Sequence, residues 1–180
     1  NYAGWYGTTW HTHGTLVGDT KFVDGKIGKA LTFDGTGDYV VLPAFDGYSS
    51  IGDFTLEAFF YINSVDQRTY LFDLRGSGAA STANPGLIID YSGGQYSIHH
   101  YIDWPTGGYT EYNVNISSPS GGWHHTALVR TGPTLTAYYD GASISNTFTG
   151  GSVASKSDLL NWSTVQKRLG TYSGAGGGTV

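Results

Sequence analysis

The sequence has no cysteine and no methionine. Disulfides, thiol catalysis and thiolate metal sites are therefore excluded, and a metal would have to use His or carboxylate ligands. Charge is scarce as well, at 13% of residues, with a formal balance of −5. That balance argues against a nucleic-acid partner, whose phosphates call for a basic patch. The one local basic cluster, Lys21, Lys26 and Lys29, is interrupted by Asp24 and preceded by Asp19. No apolar run approaches the roughly 20 residues that a membrane-spanning helix needs. No signal peptide is recognisable, and the chain starts at Asn1 rather than Met, the pattern expected of a segment cut from something longer. Helical periodicity is nearly missing. Its one candidate is a single turn at residues 157–162, after the Ser157 cap.

What the chain has instead is turns and aromatics: 28 Gly, 14 Tyr, 8 Phe and 5 Trp in 180 residues. Few charges with many of both describe an all-β protein with short loops, long enough to bury a core as one domain over 1–180. Strand patterns recur at 30–34, 38–42, 53–62, 69–75, 86–91, 95–102, 109–116 and 165–172. The clearest lie at 121–130 and 135–141. In the first, Trp123, His125, Ala127 and Val129 share one face, while His124, Thr126, Leu128 and Arg130 share the other. The second repeats the alternation with Leu135, Ala137 and Tyr139, and Asp140-Gly141 ends it with turn chemistry. Trp123, His125, Ala127 and Val129 read as the inward face, which makes His125 a hydrogen-bonded core residue. Turn signals every eight to twelve residues indicate a two-sheet antiparallel sandwich or jelly roll. Residues 76–84 read as a loop, and 173–180 as a tail or a truncated loop.

Several segments together resemble a known family. Gly28-Lys29-Ala30-Leu31-Thr32-Phe33-Asp34-Gly35, then Asp38-Tyr39-Val40-Val41-Leu42-Pro43, resembles the opening of a laminin-G-like, concanavalin A-like jelly roll. Residues 53–60 resemble its next strand, Trp123 to Val129 with Ala137 to Gly141 its most recognisable hairpin, and Arg168-Leu169-Gly170 a late one. The matches follow the family's order from Gly28 to Gly170. Residues 1–27 follow no pattern of the family, and nothing after Gly170 matches its usual closing strand. The resemblance thus implies a sandwich whose closing C-terminal strand is missing, with one sheet edge open to a partner. It implies glycan or protein ligands without fixing which, because this fold hosts lectins, adhesion modules and enzymes. It also allows, without requiring, a calcium ion held at the rim by Asp and backbone carbonyls, for which no ligand set can be aligned.

Three chemistries compete. Glucanases of this fold carry a Glu-x-Asp-x-Glu strand that sets two acids on one face. This chain has only Glu57 and Glu111, in no such context, and no Gly-x-Ser-x-Gly elbow. The six histidines come as the pairs His11/His13, His99/His100 and His124/His125. Only the first pair shares a strand face, and no third ligand accompanies it. Adjacent histidines point to opposite faces of a strand, so the other pairs are not chelates.

Glycan binding has the best support. Residues 95–102 and 109–116 read as a hairpin with one apolar face, formed by Tyr96, Ile98, His100, Ile102, Tyr112, Val114 and Ile116. The other face sets Ser97, His99, Tyr101 and Asp103 beside Tyr109, Glu111, Asn113 and Asn115, with Asp73 and Arg75 on neighbouring strands. Trp104, at the loop tip before Pro105, offers a stacking ring. Sugars present C–H patches and fans of hydroxyls, which an aromatic plate framed by Asp, Asn and His would suit. The candidate ligand-binding residues are therefore Trp104, Tyr101, His99, Asp103, Tyr109, Glu111 and Asn113. The bland alternative is an ordinary water-facing sheet surface.

The leading expectation is a non-catalytic recognition or adhesion domain outside the cell, at a cell surface or on a virion, binding a glycan or surface glycoprotein. The alternative is a structural subunit or decoration domain of a virion, tail fibre or surface filament, assembling as a homo-oligomer through its open edge. A glycoside hydrolase ranks third.

Overall fold

A computed structural model describes residues 13–42, 49–50, 53–62, 68–74, 85–103, 109–119, 121–131, 134–144, 160–161 and 167–171. These form fifteen strands. In chain order they are β1 (Thr15–Val17), β2 (Lys21–Asp24), β3 (Lys29–Thr32), β4 (Tyr39–Leu42), β5 (Ser49–Ser50), β6 (Phe54–Tyr61), β7 (Thr69–Asp73) and β8 (Pro85–Ser92). They continue with β9 (Gln95–Asp103), β10 (Tyr109–Ile116), β11 (Trp123–Thr131), β12 (Thr134–Tyr139), β13 (Ala142–Ser143), β14 (Leu160–Asn161) and β15 (Lys167–Leu169). All pairings are antiparallel. Seven strands join in the order β1-β4-β15-β7-β8-β9-β10 and four in the order β13-β12-β11-β6, while β2-β3 and β5-β14 are small ribbons.

The two larger sheets bury their facing sides against each other. Leu87 and Ile89 of β8, Ile98 and Ile102 of β9 and Tyr112 and Ile116 of β10 meet Phe60, Leu128, Leu135 and Ala137 of the smaller sheet. Period-two alternation produces this directly, because every second residue of each strand points inward. Two polar ties cross the core: Tyr112 Oη donates to the Leu135 carbonyl at 2.8 Å, and His100 Nε2 lies 2.6 Å from Thr126 Oγ1. Thr126 already donates its proton to the Tyr138 carbonyl. His100 must therefore donate from Nε2, leaving Nδ1 as a buried lone pair without a partner. Burial holds the His100 pKa down at about 4, so the ring is neutral at physiological pH.

β11 is turned the other way from the sequence expectation. Its register sets Thr126, Leu128 and Arg130 against Ala58, Leu56 and Phe54, on the core side. Trp123, His125, Ala127 and Val129 lie against Tyr61, Phe59, Glu57 and Thr55, on the outer side. His125 is consequently no core residue; its side chain is 27% exposed and its Nε2 sits 3.4 Å from Glu57 Oε2. The Leu135, Ala137 and Tyr139 face of β12 does point inward.

Two turns show why the family-like motifs recur here. Asp140 and Gly141 both adopt positive φ, at 46° and 82°, as a two-residue hairpin turn between β12 and β13 requires. Asp140 then clamps β11: its Oδ1 accepts the His125 backbone N–H at 2.8 Å, and its Oδ2 meets His124 Nδ1 at 2.7 Å. Burial opposes ionisation of Asp140, but the His125 N–H and the His124 ring outweigh it and hold the pKa below the ordinary carboxylate value. Gly170, at φ 82°, leaves room for the Phe33 ring; a Cβ there would sit 2.7 Å from Phe33 Cε1. This close approach seats β15 between β4 and β7.

The segment at 35–37 does not join partners. β3 pairs with β2, while β4 pairs with β1 and β15. Strands β1 and β2 lie in the region where the sequence shows no family pattern. The expected turn at 157–162 and loop at 76–84, the tail at 173–180 and the question of a closing strand beyond Gly170 fall wholly or largely outside the described residues.

Candidate functional site

The face of the seven-stranded sheet that points away from the core is built as a grid by strand register. One row runs Arg168–Asp73–Gly86–Tyr101–Glu111 across β15, β7, β8, β9 and β10. The next runs Tyr70–Ile88–His99–Asn113, and a third runs Asp90–Ser97–Asn115. Asp103 stands opposite Tyr109 at the far end of the β9–β10 pair. Four of the seven candidate residues, His99, Tyr101, Glu111 and Asn113, thus lie on one face of one hairpin. Trp104 lies outside the described residues, as does Arg75.

An ordinary water-facing sheet surface would leave such side chains exposed. Here Asp73 is 0% exposed, Ile88 5% and His99 9%. Burial of a carboxylate on the side away from the core means that this part of the face is shielded from water and that the carboxylate meets a polar partner. Gly86 stands between Asp73 and Tyr101 in the row and adds no side chain there. A glycine inside a strand marks a place where something else can approach the backbone. At the Arg168 end, the guanidinium lies over the Tyr39 ring, 4.8 Å from its centroid.

Beside this row runs a relay of three side chains. His99 Nδ1 bonds the Glu111 carboxylate, which can only accept, so Nδ1 carries the proton. Nε2 lies 2.8 Å from the Ser97 hydroxyl. The order Ser, His, Glu is that of a nucleophile, base and orienter, but a hydrolase also needs donors aimed at a developing oxyanion. The backbone of β9 is paired with β8 on one side and β10 on the other throughout this stretch. Its N–H groups are therefore spent on the ladders, and the relay serves to fix the tautomer and orientation of His99. Arg68 similarly closes on Asp90, with Nη2 2.7 Å from Oδ2.

Sequence reading found the hairpin face and Asp73 but missed Gly86, Ile88, Tyr70, Arg168 and Tyr39. A glycine inside an otherwise regular strand pattern was a usable signal for Gly86. No local signal exists for Arg168, which β15 delivers from far along the chain.

Among the described residues, the carboxylate oxygens of Asp19, Asp34 and Asp38 lie within 4.8 Å of one another. These hard oxygens could serve a cation such as Ca2+. Asp38, however, already accepts the backbone N–H groups of Asp19 and Asp34 at 2.8 and 3.0 Å. Its carboxyl is held below the usual range because those donors outweigh burial. Contact with Asp38 raises the Asp19 pKa. A groove of about 260 Å3 is lined by Val114–Ser117, Tyr139 and Ala142–Ile144, at the Asn115 end of β10. No helix among the described residues is long and apolar enough to cross a membrane.

One solved structure shares this fold. Domain 4 of AbnA, a GH43 extracellular arabinanase from Geobacillus stearothermophilus, solved in complex with arabinotriose, superposes with a TM-score of 0.56 at 19% identity. The match covers 87% of this chain and 72% of that one. The carbohydrate-binding module CBM66 from Bacillus subtilis matches over 88% of this chain and 91% of its own, with 17% identity and a TM-score of 0.42. No curated protein sequence matches. A family model does match, over residues 34–174, and with it the chain belongs to the laminin-G-like branch of the concanavalin A-like lectin/glucanase superfamily.

Proposed function

We infer that this domain recognises carbohydrate without cleaving it, using the outer face of the seven-stranded sheet. The observation that carries the reading is the register row Gly86–Tyr101–Glu111, which sets a half-buried aromatic ring beside a half-buried carboxylate on the outer face, one row from His99 and Asn113. Tyr101 supplies a face for sugar C–H groups, while Glu111 and Asn113 supply acceptors and donors for hydroxyls. A role outside the cell, at a surface where glycans are displayed, goes with this reading, and the absence of cysteine does not oppose it.

Calorimetric titration with arabino-oligosaccharides, followed by a glycan array, tests the reading. Wild type should bind at least one neutral glycan, and Tyr101→Ala or Glu111→Gln should weaken it by about tenfold, the effect of losing one good contact of roughly 1.4 kcal/mol. Trp104→Ala is measured alongside. Binding that both Tyr101→Ala and Glu111→Gln leave intact would place the ligand elsewhere and overturn this assignment.

A further inference from the structure

The outer face of the four-stranded sheet carries a second, separate concentration of rings. Register pairs Tyr61 with Trp123 and Phe59 with His125, side by side on β6 and β11. The ring centroids lie 5.8 Å apart in the first pair, edge to face, and 4.6 Å apart in the second. Phe59 and Tyr61 are 48% and 45% exposed. Aromatic groups left this open on a sheet surface mark a binding surface rather than a packing accident. They contribute nothing to the core, which β6 serves with the alternate residue Phe60.

We propose that this face is a second saccharide-binding surface, for a neutral and extended sugar chain. Charge narrows the occupant first. The outward positions of β6, β11 and β12 carry a single formal charge, Glu57, and no Lys or Arg. A polyanion finds no counter-charge there. The mixture of groups narrows it further. A protein partner's apolar surface wants a continuous dry patch, but Glu57 lies in the row next to the rings, with its Oε2 3.4 Å from His125 Nε2. Flat ring faces bordered by a carboxylate, an imidazole and the Tyr61 hydroxyl match a ligand whose C–H faces alternate with hydroxyls. Phe59 and Tyr61 stand two residues apart on one strand, about 7 Å along it, so a ligand that covers both is longer than one sugar ring.

This surface lies on the opposite side of the sandwich from the Tyr101 site. One domain holding a glycan on each side bridges two chains, and the two weak sites reinforce each other on a polymer.

Native affinity gels containing hydroxyethyl cellulose, xylan, arabinan or levan, with polygalacturonate as a charged control, separate the two faces. The Phe59→Ser/Tyr61→Ser double variant changes only half-exposed rings, and circular dichroism and melting confirm that it folds. Against at least one neutral gel, its retardation constant should be about tenfold weaker than that of wild type. The same loss should appear in a Tyr101→Ala background, where the Tyr101 site no longer contributes. Polygalacturonate should retard neither protein. Equal retardation of wild type and double variant in every neutral gel, or none of wild type, overturns the proposal; a loss confined to Tyr101→Ala leaves the Tyr101 reading standing alone. Sedimentation that shows a wild-type dimer converted to monomer by the double variant also overturns it, because the occupant is then a second copy of the chain.

Discussion

At the scale of single residues, His100 is the side chain whose state matters most for stability. It is 1% exposed, donates from Nε2 to Thr126, and leaves Nδ1 with nothing to bond. Protonating it places a charge between the two sheets, which is why burial lowers its pKa from 6.5 to about 4. The unfolded chain therefore binds this proton more readily than the folded one, and stability rises with pH across that interval. The contribution is complete above pH 6.5 and is lost as pH falls toward about 4. A shift of this size is worth at most about 3 kcal/mol. Chemical denaturation at pH 7.5 and 4.5 reads it. His100→Leu should lose clearly less stability between those pH values than wild type does. Equal losses in both proteins would mean that His100 takes up no proton cost on acidification.

At the scale of strands, the β9–β10 pair was fully legible and β11 was not, for one physical reason. Residues 95–102 and 109–116 alternate cleanly between apolar and polar, so the expected apolar face of Ile98, His100, Ile102, Tyr112 and Ile116 is the one that points inward. In β11 the outward positions Trp123, Ala127 and Val129 are more apolar than the inward His124, Thr126 and Arg130. A hydropathy pattern read on that strand comes out one residue out of phase, and a shift of one residue swaps the faces. What reverses it is tertiary: Thr126 finds the Tyr138 carbonyl and His100, so a polar residue is satisfied inside, while rings stay outside. The same long-range delivery hid Arg168 and Tyr39 from sequence reading. The facing of β11 has a direct test by thermal unfolding. Leu128→Ala, at a position 1% exposed, should cost about 2–5 kcal/mol, whereas Val129→Ala, on the outer face, should cost under about 1.5 kcal/mol. Matching losses would contradict the observed register.

At the scale of the whole molecule, charge and shape point to the same kind of ligand. The domain carries a formal −5, and both aromatic surfaces are framed by acids rather than by lysines. On the seven-stranded sheet Arg68 is engaged by Asp90, and the guanidinium of Arg168 rests on Tyr39, so its cations are held within the face. Attraction between opposite net charges therefore contributes little to binding, and the work falls to ring stacking and to hydrogen bonds with uncharged hydroxyls. Salt screens the former kind of interaction and not the latter, since the Debye length shrinks from about 14 Å at about 0.05 M to about 4 Å at about 0.5 M. The dissociation constant for a neutral oligosaccharide should accordingly stay within about twofold over that range, as measured by calorimetry in sodium chloride. Uronic-acid polymers should remain unbound at the low-salt end, where repulsion by the domain's own charge is strongest. Uronic-acid polymers that bind at the low-salt end and weaken tenfold as salt rises would show that a charged ligand is being recognised, and would count against neutral recognition on both faces at once.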